Sequence, residues 1–73
     1  MAFKNEDVVL ATAKVLRKNP DTGKPETLNF TDEEGTVKKA RTYKDNPEKD
    51  TYWVKTQYGI NVLNGKNLVI KPA

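Results

Sequence analysis

The stretch 51–70, Thr-Tyr-Trp-Val-Lys-Thr-Gln-Tyr-Gly-Ile-Asn-Val-Leu-Asn-Gly-Lys-Asn-Leu-Val-Ile, constrains the fold more than any other part of the chain. It holds three of the six aromatic residues, the single tryptophan and the densest run of β-branched and large apolar side chains. Such side chains suit a pleated, half-buried surface, so the segment is expected to be strand and to supply much of the core. Asn64-Gly65 lies between two apolar runs, the strongest short-range signal of a β-hairpin. Residues 60–63 and 67–70 are therefore expected to pair across Asn64-Gly65-Lys66.

Little else in the chain can hold a fold together. Its 73 residues allow one domain, 1–73. A chain this short buries only a little over ~60% of the surface that its unfolded form exposes. It is free of cysteine and histidine, so neither a disulfide nor a zinc site of the usual ligand types can reinforce the core. Stability has to come from economical packing, from turn chemistry or from self-association.

The turns are legible. Asn19-Pro20-Asp21-Thr22-Gly23-Lys24 has the order of a tight hairpin connection. Proline presets φ, Asp21 and Thr22 continue the turn, and Gly23 takes a left-handed position. That turn joins 8–18 to 26–31. Residues 8–18 are compatible with a helix but also with a strand carrying Val9, Ala11, Ala13 and Val15 on one face; the hairpin favours strand. The alternative is an α+β fold with an N-terminal helix over 7–18 packed on a three- to four-stranded antiparallel sheet. Residues 1–6 read as a flexible lead-in, with Phe3 tucked against the core.

Residues 26–31 alternate, with Leu28 and Phe30 inward. Asp32-Glu33-Glu34-Gly35 then reads as a turn. Residues 36–44 form a basic third strand, with Val37, Lys39, Arg41 and Tyr43 on one face and Thr36, Lys38, Ala40, Thr42 and Lys44 on the other. Neither face is fully apolar, so the strand either lies at an edge or exposes one face for a purpose. In the fourth strand, 52–58, Tyr52, Val54, Thr56 and Tyr58 share one face, and Trp53, Lys55 and Gln57 the other. Gly59 interrupts it with a bulge or sharp bend. Five short antiparallel strands linked by turns predict an all-β fold, a small barrel or strongly bent sheet of the SH3-like or OB-like kind. Both forms avoid long exposed edges.

Chemistry is limited by what is missing. Without serine, cysteine or histidine, the usual nucleophile systems and the commonest neutral-pH base are excluded, so no enzyme and no cofactor is expected. The acidic residues Asp32, Glu33 and Glu34, and Asp45, Glu48 and Asp50, lack calcium-loop spacing and read as solvated turns, not metal ligands. No apolar run approaches the ~18 residues of a membrane span. The N-terminal Met-Ala-Phe-Lys-Asn-Glu-Asp is unlike a secretory signal, which makes a soluble, cytoplasmic protein the expectation.

Charge is the remaining clue. Residues 1–34 carry five Lys or Arg against seven Asp or Glu, a net −2, and residues 35–73 carry eight against three, a net +5. Segments 36–44 and 51–73 contain no acid at all. Lys38, Lys39, Arg41, Tyr43 and Lys44 therefore combine with Trp53, Lys55 and Tyr58 into a candidate nucleic-acid-binding face. Rings would stack on bases while cations track phosphates. If the two strands are neighbours across the 45–50 loop, paired positions sum to about 95, which sets Lys39 beside Lys55 or Thr56. The plainer possibility makes the aromatics core and the lysines solubilising groups on an edge strand. Two functions follow. The first is a non-enzymatic nucleic-acid-binding module; the alternative is a protein-interaction module, such as a small inhibitor or accessory subunit, acting through an edge strand or aromatic patch on a larger protein. Homodimerisation through the same edge would also relieve the thin core.

Overall fold

Hydrogen-bonded pairing gathers five strands into one sheet. A computed structural model describes residues 3–72; residues 1–2 of the expected lead-in, and Ala73, lie outside the described residues. The strands are β1 (Val8–Lys18), β2 (Pro25–Arg41), β3 (Thr51–Thr56), β4 (Gly59–Asn64) and β5 (Leu68–Ile70). Their spatial order is β4-β3-β2-β1-β5, all antiparallel, so four strands meander and β5 returns beside β1. Two 3-10 turns, Pro47–Lys49 and Gly65–Asn67, are the only helical backbone among the described residues. The fold is thus all-β, a strongly bent sheet that does not close into a barrel. No helix of the described residues is long and apolar enough to cross a membrane.

The first segment is strand throughout, which removes the helix alternative over 7–18. Its alternation buries Val9 and Ala11 fully and leaves Ala13 and Val15 packed against the core. Where it pairs with both β2 and β5, the two edges of its backbone are satisfied by different neighbours. The first hairpin closes at 19–24. Gly23 sits at φ 73° and donates its N–H to Asn19 O at 2.8 Å. The Asn19 side-chain oxygen accepts the N–H groups of Asp21 and Thr22 at 2.8 and 3.1 Å.

Several expectations fail, mostly where a distant contact overrules a local signal. Asp32-Glu33-Glu34-Gly35 is not a turn: β2 runs through it as one 17-residue strand. Thr31 and Asp32 form a bulge opposite Thr12, with Asp32 at φ 50°. Aspartate is one of the few residues that visits this region, and Thr12 Oγ1 holds it there by accepting the Asp32 N–H at 3.1 Å. Gly35 closes nothing. It is buried, and a Cβ there would lie 2.5 Å from Val54 Cγ1 and 3.0 Å from Lys55 O. Glycine lets β2 pass close against β3 as it leaves its ladder with β1 and enters the one with β3.

The second failure concerns strand placement. Of the two options for 36–44 the edge position fails: the segment is the C-terminal part of β2, a central strand that exposes Lys39 and Arg41, and β4 and β5 form the edges. The third concerns Asn64-Gly65. Residues 60–63 pair with β3 and residues 68–70 with β1, on opposite sides of the sheet, so no hairpin joins them. Instead Asn64 caps a 3-10 turn, its side-chain oxygen accepting the Lys66 N–H at 2.9 Å. Gly65 is needed because a Cβ would sit 2.9 Å from Tyr52 Cε2. β3 also ends earlier than expected, at Thr56, and turns through Gln57 and Tyr58 into Gly59 at φ 86°.

All five strands feed a single core on the concave side. Val9, Ala11, Phe30, Val37, Tyr52, Val54, Leu63 and Leu68 belong to one cluster, joined by Phe3 from the lead-in. A flat sheet could not bring β4 and β5 side chains into the same cluster. The bend is therefore what makes one core of so few residues. Tyr52 is the centre of it: fully buried, edge-on to the Phe3 ring at 5.2 Å, with its hydroxyl oxygen accepting the Phe3 N–H at 3.2 Å.

Candidate nucleic-acid interface

The outward face of the sheet is read from the ladders. Val37, Val54 and Asn61 point into the core in one row, and Ala40, Tyr52 and Leu63 in another. The positions between them face outward. One outward row is Thr36, Lys55 and Ile60; the next is Lys39, Trp53 and Val62; the last is Arg41, Thr51 and Asn64. Three cations and the single tryptophan therefore share a surface across three strands. None of the residues paired with them is acidic.

The pairing differs from the expected register by three positions. Lys39 lies opposite Trp53 and Arg41 opposite Thr51, because β2 ends at Arg41 and the 42–50 connection is longer than the simple loop assumed. A second bulge, at Lys38, adds to the shift and reverses the alternation of β2. It turns Lys39 and Arg41 onto the side opposite Val37. The alternation assumed from sequence had put all three on one face.

Within this surface the cations use the rings. Lys39 Nζ lies 4.9 Å from the Trp53 ring centroid, and the Arg41 guanidinium carbon 5.5 Å from that of Tyr43. Trp53 is half-buried and outside the core cluster, so the plainer possibility holds for Tyr52 and not for its neighbour. Tyr43 follows the end of β2, pinned by its backbone N–H to Asp50 Oδ1 at 2.8 Å. Lys39, Arg41 and Lys55 are exposed and form no ion pair with a described carboxylate.

The remaining expected residues lie elsewhere. Lys38 is drawn to Glu6, Nζ to Oε1 at 3.1 Å, by a lead-in whose backbone also binds Val37 O. Lys44 is exposed in the loop after β2. Tyr58, in the β3–β4 turn, stacks on Phe30 at 5.7 Å and 22°, while Arg17 Nη1 donates to its carbonyl at 2.6 Å. It closes the core at the far end of β3 and is not part of the basic surface.

The acidic run at 32–34 is dispersed. Asp32 binds Thr12, Glu33 accepts from Gln57 Nε2 at 3.1 Å, and Glu34 pairs with Lys71. A recess of about 290 Å³ beside the turns at 47–50 and 64–66 is lined by Glu48 and Asp50 together with Lys66, a poor setting for a phosphate. Two residues were not singled out from sequence: Ile60 and Val62, 56% and 54% exposed, which flank Trp53 and Lys55 on the outermost strand. Alternation along 60–63 was the available signal, since it leaves them opposite Leu63.

Compared with known protein families, with curated proteins and with solved structures, the chain matches none.

Proposed function

We propose that the outward face of β2–β4 binds single-stranded nucleic acid, with Lys39, Arg41 and Lys55 on phosphates and Trp53 and Tyr43 on bases. One observation carries this reading: Lys39, Trp53, Arg41 and Lys55 occupy adjacent cross-strand positions with no carboxylate paired among them. The Lys39–Trp53 contact suits a site awaiting a base. A cation over an exposed ring contributes about 0.5–1 kcal/mol, whereas a base stacked on it contributes about 1–3 kcal/mol. Exchanging the ammonium for a base is therefore favourable, and it frees Lys39 for the neighbouring phosphate. Of the two architectures compatible with the sequence, the unbroken β1–β4 meander favours the SH3-like one over the Greek-key OB arrangement.

Three phosphate contacts set a modest salt dependence. For a single strand the slope of log affinity on log salt is about −2, so affinity falls roughly twentyfold between ~50 and ~200 mM salt. Fluorescence polarisation with labelled single- and double-stranded oligonucleotides measures it. Binding of the single strand with that slope supports the reading, and no binding at low salt removes it.

A protein partner is the second reading, favoured by the exposed Ile60 and Val62 at the sheet edge. Capture of a protein from nuclease-treated lysate that is lost in Val62→Lys, with no oligonucleotide binding, would replace the first reading with this one.

A further inference from the structure

The two sheet edges are protected unequally. Natural sheets blunt edges with short strands, charge or proline. β5 has three residues and is followed by Lys71 and Pro72. β4 has six, Gly-Ile-Asn-Val-Leu-Asn, with no charge and no proline. Its outward side chains, Ile60 and Val62, are more than half exposed. Its inward Asn61 is only 6% exposed, and Nδ2 has no hydrogen-bond partner. Such an orphaned donor is uncommon in folded proteins and unfavourable where it occurs.

We infer that β4 pairs with β4 of a second copy about a two-fold axis through Asn61. In an antiparallel pair, residues directly opposite share a face, and their Cβ atoms lie about 4.5–5.5 Å apart. Placing Asn61 opposite Asn61 of the second copy sets Ile60 opposite Val62 on both sides of the axis. A rotation of each Asn61 amide from its shielded position toward the strand edge then gives Nδ2 the other amide oxygen as acceptor. Neighbouring registers that keep the faces matched lack this: one sets Asn61 against Gly59, the other against Leu63. A two-fold interface must be self-complementary, and this strand is so in one register only.

A second copy also meets this strand without setting like charges in direct opposition, since β4 carries none. One six-residue strand pair falls at or below the low end of stable interfaces, about 1,200 Å², so the dimer is reversible and weak. The axis lies perpendicular to the sheet and keeps both basic surfaces on one side. A single row then runs Lys39, Trp53 and Val62, then Ile60 and Lys55 of the second copy.

Sedimentation of the full chain without nucleic acid, at concentrations up to about 1 mM, tests this in the range where weak complexes form. The 8.3 kDa chain is expected to double in mass, and no further, as concentration rises. Val62→Lys alters an exposed side chain; it should keep the wild-type circular dichroism spectrum while weakening association at least about tenfold, since it sets a lysine against the apolar Ile60 of the other copy, in one row with that copy's Lys55. Cysteine pairs report the register. Ile60→Cys mixed with Val62→Cys should form disulfide-linked dimer several-fold faster than either variant alone. A chain that stays monomeric, assembles beyond a dimer by joining β4 to β5, keeps its dimer in Val62→Lys, or cross-links no faster on mixing overturns the proposal.

Discussion

Tyr52 and Trp53 are neighbours on β3 and live in different surroundings. Tyr52 is fully enclosed: the Phe3 ring meets it edge-on, its hydroxyl holds a backbone N–H, and Gly65 is kept bare to admit its ring. Trp53 is half-buried on the outward side, with Lys39 over its ring. One aromatic is locked by Phe3, by the turn at Gly65 and by the strands on either side of it, while the other is held by its strand and a flexible cation. Damage to the first should therefore be read as lost stability, and damage to the second as lost binding.

The largest effect is expected at the enclosed ring. Tyr52→Ala removes an aromatic from the centre of the core and should destabilise the fold by about 3–5 kcal/mol, enough to leave it largely unfolded in a denaturant titration. Tyr52→Phe keeps the ring and removes only the acceptor for the Phe3 N–H, a loss of about 1 kcal/mol. Gly35→Ala comes next. The added methyl meets the Val54 side chain and the backbone of Lys55, and overpacking of this kind costs about 1–3 kcal/mol, visible as a lower Tm.

On the outward side the ordering reverses between stability and binding. Trp53→Ala should change stability by less than about 1 kcal/mol, as a partly exposed side chain, yet weaken single-strand binding by about tenfold or more. The smallest effect separates two lysines. Lys55→Ala should reduce the salt slope by about 0.7, one phosphate contact, whereas Lys38→Ala should leave it unchanged because Lys38 is turned toward Glu6. Equal slopes for the two variants would erase the boundary drawn around the basic surface.

How far the sequence was legible follows from where the determining contacts lie. The 19–24 turn and the alternation of β1 were readable because Asn19, Gly23 and the Val9–Val15 pattern act over a few residues. The β3 faces were readable for the same reason. At Asp32 and Gly35 the local signal said turn, but the bulge is set by Thr12, 20 residues away, and the bare backbone at 35 by Val54 and Lys55. Asn64-Gly65 carried the strongest hairpin pattern and was overruled by the ring of Tyr52. The candidate surface was partly legible, since alternation separated Trp53 from Tyr52. Lys38 left it for an acid 32 residues upstream, beyond any window of periodicity. Tyr58 left it because the chain turns at Gln57, two residues earlier than the strand pattern implied.

Trp53 is the only tryptophan, so its emission during titration with a single-stranded oligonucleotide at low salt reports on the outward face alone. Base stacking on the ring predicts quenching that saturates with oligonucleotide and is reversed by added salt. Emission that stays constant through a titration in which polarisation shows the oligonucleotide bound, or in which no binding occurs at all, contradicts the role given to that face.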